Sequence, residues 1–148
     1  MSRRPFRIVK FRTMHARPRA ASKQATANDE RVFRAGRWLR KSSLDELPQF
    51  LNVLRGEMSV VGPRPHMIVH DRRFCHGMNS YHIRNFVKPG ITGLAQIKGF
   101  RGEATEKTAI EERVKYDIEY LEHWSLWRDI LIVLQTSKQI ISPVKTAY

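Results

Sequence analysis

The sequence predicts an α+β fold: a mostly helical single domain with short strands or a hairpin, and amphipathic helices of the kind that lie at a membrane interface. Three observations carry that reading. Apolar residues recur at helical spacing through residues 105–123 and 124–141, as long amphipathic helices require. Two short segments, residues 5–14 and 58–61, have the alternation or brief apolar run of a strand. A chain of 148 residues, 41% hydrophobic and 28% charged, matches one domain with a modest core and a wet surface.

The elements follow in order. In residues 5–14, PFRIVKFRTM, alternate positions form one apolar and one mixed face, so a strand is expected. Residues 14–28 are small, polar and basic without periodicity, which reads as a mobile loop able to act as a lid. A short helix is expected over residues 29–39, with Asn28 or Asp29 near its start. Leu44, Leu47, Phe50, Leu51 and Leu54 share helical spacing, and Gly56 ends that helix. Residues 58–61 form a brief strand, and Gly62-Pro63-Arg64-Pro65 a rigid turn. Residues 66–86 read as helical, Lys88-Pro89-Gly90 as a break, and residues 91–100 as extended. Ile110, Val114, Ile118 and Leu121 mark the apolar face of the next helix. The last helix carries Trp124, Trp127, Ile130, Leu131, Val133 and Leu134. Its aromatics suit either a core or a membrane interface, where Trp is favoured and Lys and Arg meet anionic headgroups, and both readings stay open. Residues 1–4 and 142–148 are expected to be flexible.

The formal net charge is +13, from 27 Lys and Arg against 14 Asp and Glu. That imbalance implies an anionic partner: nucleic acid, anionic lipid or nucleotide phosphate. No helix-turn-helix, zinc-finger or RNA-recognition signature is present, so nucleic acid is not the expected partner, although a basic nucleic-acid-binding module remains an alternative. The longest apolar run, residues 130–134, falls far short of the roughly 20 residues that span a bilayer. The single cysteine, Cys75, allows no intramolecular disulfide. It is expected to pack as a small apolar residue in a reducing compartment. His66 and His70 have the i,i+4 spacing of a zinc pair, but with no HExxH pattern and no third ligand a structural role is expected.

The densest chemical signal is Ser43-Leu44-Asp45-Glu46-Leu47-Pro48. Read structurally it is a capping box, with Ser43 capping the helix and Glu46 closing the box, and Ser42 and Asp45 share the same spacing. Read functionally, a carboxylate in a first helical turn lies among unpaired N–H groups that also attract phosphate. Asp45 could then attack phosphorus, and the neighbouring carboxylates could hold Mg²⁺ together with substrate phosphates. Arg64, fixed between Pro63 and Pro65, is placed to pair bidentately with phosphate oxygens. Lys10, Arg12, Arg40, Lys41 and Arg101 are further cationic candidates.

Four blocks stand in the order found in the bacterial sugar transferases, the monotopic polyprenyl-phosphate hexose-1-phosphate transferases. They are Lys10-Phe11-Arg12-Thr13-Met14, the run from Leu39 to Gln49, Val61-Gly62-Pro63-Arg64-Pro65, and the run from Lys88 to Gln96. The chain resembles that family over nearly its whole length. The resemblance implies a phosphotransferase that moves a hexose-1-phosphate from a UDP-sugar to undecaprenyl phosphate in two steps. Asp45 is then the nucleophile that forms an aspartyl-phosphosugar, and Glu46, with Asp45, the residue associated with Mg²⁺. Arg64 looks like a phosphate binder. Lys10, Arg12, Arg40, Gln49 and Gln96 fall on family motif positions that line the site, and Arg101 is a further carry-over.

The segment from Tyr120 to Ile130 is similar to the exopolysaccharide-priming branch, which points to glucose or galactose. The resemblance also implies work at an anionic membrane surface, on the cytoplasmic face of the bacterial inner membrane. It further implies a re-entrant membrane helix ahead of the Lys-Phe-Arg block, so the chain reads as an N-terminally truncated catalytic domain. A noncatalytic peripheral membrane scaffold that keeps the fold is the other alternative.

Overall fold

A computed structural model of the chain describes residues 5–15, 29–78, 80–100 and 107–141. Residues 16–28 of the loop expected over 14–28, the two tails and Arg101 lie outside the described residues. The fold is mostly helical with one two-stranded parallel sheet, as the sequence predicts.

The N-terminal segment is extended but makes no strand. Its only bridge is Met14 to Val32, antiparallel, among the described residues. The polar groups of the backbone find other partners. The Val9 N–H donates to Asn52 Oδ1 at 3.0 Å, Asn52 Nδ2 donates to the Arg7 carbonyl at 2.9 Å, and the Phe11 N–H donates to the Asp45 carbonyl at 3.0 Å. The fully buried Asn52 amide thus does for residues 7 and 9 what a neighbouring strand would do. The segment crosses the first helix, α1 (Arg34–Lys41), so closely that a Cβ at Gly36 would lie 2.3 Å from the Thr13 carbonyl oxygen. Only glycine fits there.

Helix α1 starts later than the sequence suggests. Asp29 Oδ1 accepts the Arg31 N–H at 3.0 Å and its carboxylate also takes the Arg31 guanidinium, so residues 29–33 form a side-chain-closed turn instead of a first helical turn. The capping box does not form either. Ser42 Oγ donates back to the Trp38 and Leu39 carbonyls at 2.9 and 3.1 Å, closing α1. Ser43 has left-handed backbone (φ 58°) and makes no side-chain cap. The segment that follows, Leu44–Gln49, is a 3₁₀ turn that runs into the short helix α2 (Phe50–Leu54). Gly56, at φ +74°, ends it as expected.

Strand β1 (Ser59–Val61) pairs in parallel with β2 (Gly90–Thr92), with Ser59 opposite Gly90 and Val61 opposite Thr92. The chain between them carries the Pro-Arg-Pro turn, α3 (Ile68–Gly77) and a separate 3₁₀ turn, Tyr81–Phe86. The single helix expected over 66–86 is therefore two pieces. A Cβ at Gly90 would lie 2.2 Å from the Gly62 nitrogen, so glycine lets the turn and β2 approach. Residues 91–100 are extended only at the start. The chain then coils into α4 (Leu94–Ile97), and Gly99 at φ +95° turns it away.

Helices α5 (Lys107–Glu122) and α6 (Leu126–Ile141) complete the fold. Helix α5 packs on α4 and the 3₁₀ turn, and α6 on α4, β1 and β2. Two clusters form the core. Val61, Leu94, Tyr120 and Ile132 make one; Tyr81, Ile110 and Val114 make the other, with Cys75 packed against it. Trp124 and Trp127 are exposed, as are Leu126, Leu134 and Ile141, so the Trp residues do not pack the core. Among the described residues no helix is long and apolar enough to cross a membrane.

Candidate active site

Four separate pieces of chain bring charge to one place. The extended segment supplies Lys10, the end of α1 supplies Arg40, the 3₁₀ turn supplies Asp45 and Glu46, and the proline-stiffened turn supplies Arg64. Glu46 is the hub and is only 7% exposed. Its Oε1 receives Lys10 Nζ at 2.9 Å and an Arg64 guanidinium nitrogen at 2.5 Å, and its Oε2 receives the other Arg64 nitrogen at 3.2 Å. Burial alone would raise the Glu46 pKa. The Arg64 charge and hydrogen bonds, helped by Lys10, outweigh it and hold the carboxyl well below the usual carboxylate range.

Asp45 is half-buried, and its pKa moves the other way. Burial and the adjacent Glu46 charge push it up, while Lys10 and Arg40 pull it back. Arg40 is aimed by its Nε, which donates to the buried Thr13 hydroxyl at 2.9 Å. The favourable field at Asp45 comes mainly from these side chains, with a smaller contribution from its own backbone N–H. Its turn is a 3₁₀ segment of 6 residues, so the helix-dipole support expected from the sequence is replaced by cations drawn from distant parts of the chain.

The other candidates divide. Gln96 is buried and lines a cavity together with Glu46, its Nε2 donating to the Ile91 carbonyl at 2.9 Å. Gln49 is 1% exposed, with no hydrogen-bond partner for Nε2. Arg12 is exposed and joins no ion pair of the cluster among the described residues. Arg101 lies outside them.

A second polar cluster adjoins the first; of its residues the sequence singles out only His66, for which a structural role is expected. Arg84 donates to the Arg64 carbonyl at 2.6 Å and pairs with Asp117 at 2.9 Å, both ends buried. Its other terminal nitrogen meets the Tyr81 hydroxyl at 3.1 Å and His66 Nδ1 at 2.6 Å, while Arg113 faces His66 Nε2 at 3.2 Å. Burial, then the Arg84 and Arg113 charges, push the His66 pKa down to about 2. Burial pushes Asp117 up to about 6 against the pull of the same two arginines. The readable signal was Arg113 and Asp117 at i,i+4 spacing on the apolar face of α5, between Ile110 and Leu121: charge where a core residue is expected must be paired.

The family model for bacterial sugar transferases matches residues 1–143. The chain belongs to the bacterial sugar transferase family. It is 49% identical over 147 residues to a UDP-glucose:undecaprenyl-phosphate glucose-1-phosphate transferase of Xanthomonas campestris pv. campestris, covering 98% of this chain and 30% of that protein. It is 49% identical over 141 residues to a protein of the same name from Caulobacter vibrioides, covering 93% and 52%. An undecaprenyl-phosphate galactose phosphotransferase of Salmonella typhimurium is 44% identical over 114 residues, covering 77% of this chain and 22% of its own length. The chain thus spans about half or less of these relatives.

Among the described residues no group of three or more His, Cys, Asp or Glu could hold a metal ion. Mg²⁺ does not need one. It commonly takes one or two carboxylates and completes its shell with substrate phosphates and water. The adjacent Asp45 and Glu46 carboxylates fit that donor set.

Proposed function

We propose that this family member transfers a hexose-1-phosphate from a UDP-sugar to undecaprenyl phosphate through a covalent intermediate on Asp45. The observation that carries the reading is the half-buried Asp45 carboxylate set beside Glu46, which Lys10 and Arg64 grip. One carboxylate is committed to holding cations in place and its neighbour is left for chemistry.

In the first step an Asp45 carboxylate oxygen bonds to the β-phosphorus, the bond from that phosphorus to the bridging oxygen breaks, and UMP leaves with the electron pair. In the second step a phosphate oxygen of the acceptor bonds to the same phosphorus and the aspartyl oxygen leaves, regenerating the carboxylate. Arg64, Lys10 and Arg40 stabilise charge on the phosphoryl oxygens as it develops. Gln96 supplies a buried amide in the cavity that Glu46 lines, and Gln49, Arg12 and Arg101 are assigned to the same anionic substrate.

Asp45 and Glu46 would hold Mg²⁺, which when bound neutralises diphosphate charge. The Glu46 partners Lys10 and Arg64 would then turn toward phosphate. Relatives named for glucose and for galactose make UDP-glucose and UDP-galactose the first donors to try. The exposed apolar face of α6 and the +13 charge suit an anionic membrane surface, on the cytoplasmic side of the inner membrane where nucleotide sugars reside. The same reading places the reaction at the priming step of exopolysaccharide or other glycoconjugate synthesis.

The test is intact-mass analysis of the protein with UDP-glucose or UDP-galactose and Mg²⁺. A hexose-phosphate adduct that disappears in Asp45→Asn is expected. An adduct undiminished in that variant removes Asp45 from the role.

A further inference from the structure

The cavity next to Glu46 differs in character from the charged cluster. It encloses about 220 Å³, less than the roughly 300–1,000 Å³ of a whole small-molecule site. Its walls are mainly hydrocarbon, from Leu47, Phe50, Val60, Ile97, Val133 and Ile140. Most of its polar lining groups are already engaged within the protein. The Thr92 and Thr136 hydroxyls meet at 2.6 Å, Thr136 donates to the Ile132 carbonyl, and Gln139 Nε2 donates to the Ile97 carbonyl at 2.8 Å. Gln96 gives its Nε2 to Ile91 and keeps one buried acceptor, Oε1, without a partner.

A uracil base or a hexose brings many donors and acceptors, and this lining would leave most of them unsatisfied at a cost for each. A hydrocarbon brings none. The outlet is apolar as well: Leu47, Phe50, Val133 and Ile140 are exposed to solvent while lining the cavity, and their chain neighbours Leu51, Leu134 and Ile141 are exposed too. A chain leaving the cavity can therefore follow hydrocarbon surface. At the charged side stands Glu46 with its two cationic partners.

We propose that this cavity seats the isoprenoid units nearest the phosphate of the lipid acceptor, so that the acceptor phosphate is delivered to the Asp45–Glu46 site by its own tail. The occupant rests on the proposed transfer to a polyprenyl phosphate. It is set apart from a bulk lipid chain by the cavity's continuity with the phosphate-handling carboxylate.

The test is photolabelling of the full chain in detergent micelles with a farnesyl phosphate analogue that carries a diazirine on its first isoprene unit, mapped by peptide mass. Label on the α6 segment that bears Val133 and Ile140, or on Phe50, is expected, and excess farnesyl phosphate should suppress it. Ser137→Trp, placed at the exposed edge of the lining, should weaken labelling at least about tenfold, a decade being worth slightly less than the burial of two methylene groups. The thermal melt and the UDP-sugar adduct of that variant should match the unsubstituted protein. Label mapped elsewhere, or equal suppression by a phosphatidylglycerol with saturated chains, overturns the assignment. The two readings separate cleanly. Cavity labelling with no adduct rejects Asp45 as nucleophile and leaves the seat standing, whereas an adduct with label elsewhere rejects the seat alone.

Discussion

Two polar clusters share one turn of chain and use the same residue types to opposite ends. In the first, Arg64 and Lys10 hold Glu46 beside a half-buried Asp45. In the second, Arg84 and Asp117 pair at 4% and 2% side-chain exposure, with His66, Tyr81 and Arg113 around them. The first borders a cavity through Glu46 and is partly open to solvent at Lys10 and Arg64, so its charges can exchange partners with a ligand. The second is sealed, and an ion pair there can only hold position. The two meet where Arg84 donates to the Arg64 carbonyl, so the sealed cluster fixes the backbone from which the open cluster's guanidinium is hung. A fixed backbone keeps that guanidinium within reach of developing charge when it exchanges Glu46 for a phosphate.

The largest separation between the clusters should appear in chemistry. Asp45→Asn removes the nucleophile while keeping shape, so UMP release should fall by roughly 10³-fold or more with little change in melting temperature. Glu46→Gln keeps the shape too but leaves Arg64 and Lys10 without their anion. Turnover should fall and its dependence on Mg²⁺ should weaken. Unchanged metal dependence in that variant would detach Glu46 from the cation.

Stability should respond in the reverse order. Asp117→Leu or Arg84→Leu strands a buried charge, and breaking such a pair costs about 3–5 kcal/mol, read as a lowered urea midpoint. The double variant Arg84→Leu/Asp117→Leu should recover part of that loss, because neither partner of the pair is left without the other, yet its activity should stay low for want of the anchor on Arg64. Full activity in a folded double variant would break the link between the clusters.

How much of this was legible in the sequence follows from where each partner lies. Helices α5 and α6, strand β1, the Gly56 stop and the Pro-Arg-Pro turn are set by neighbours a few residues away, and periodicity shows them. The missing N-terminal strand is set by Asn52, 43 residues from Val9, and no local pattern announces it. Ser43 and Glu46 have capping-box spacing, but Lys10 and Arg64, 36 and 18 residues from Glu46, claim the carboxylate. The Asp-Glu pair and Arg64 stand out in the sequence because their local context is unusual, and the structure brings Arg64 onto Glu46. Arg84 does not stand out, since its partners Arg64, His66 and Asp117 lie far from it in the chain, and His66 shows only as half of an i,i+4 histidine pair for which a structural role is expected. Arg113 and Asp117 left a trace, charge on a hydrophobic stripe.

The pH dependence of folding should separate the sealed cluster again, at a smaller scale. His66 is held down to about 2 from an ordinary 6.5. Below about pH 6.5 the unfolded chain therefore binds a proton that the folded chain refuses, and stability falls as pH falls, by at most about 1.4 kcal/mol per pH unit. Asp117, raised to about 6 from 3.8, opposes it. Its contribution is present in full below its unfolded value and is lost as pH rises through about 6. Urea unfolding between about pH 5 and 7 should thus lose slope in His66→Gln and gain slope in Asp117→Asn. Glu46, held well below 4.5, loses its contribution only at lower pH and does not enter this window. Identical slopes in all three proteins would mean that the sealed cluster does not titrate with folding.

The smallest structural effect belongs to Lys10, and it isolates what the open cluster does. Its side chain is 38% exposed, so solvent screens its pair with Glu46, and exposed pairs of this kind are worth about 1 kcal/mol or less. Lys10→Met leaves the two Arg64 bonds to Glu46 intact, and the melt should scarcely move. Lys10 is nonetheless one of two cations that pull the Asp45 pKa down. Its loss should raise that pKa further, so the acid limb of the pH profile for UMP release should move to higher pH, because a protonated carboxyl is no nucleophile. Asp117→Asn, tested in parallel, should leave that limb in place, since Asp117 does not figure among the charges that shift Asp45. A displaced limb in Asp117→Asn, or a fixed one in Lys10→Met, would show that the charge on the nucleophile is set from a different part of the molecule than the ion pairs beside it.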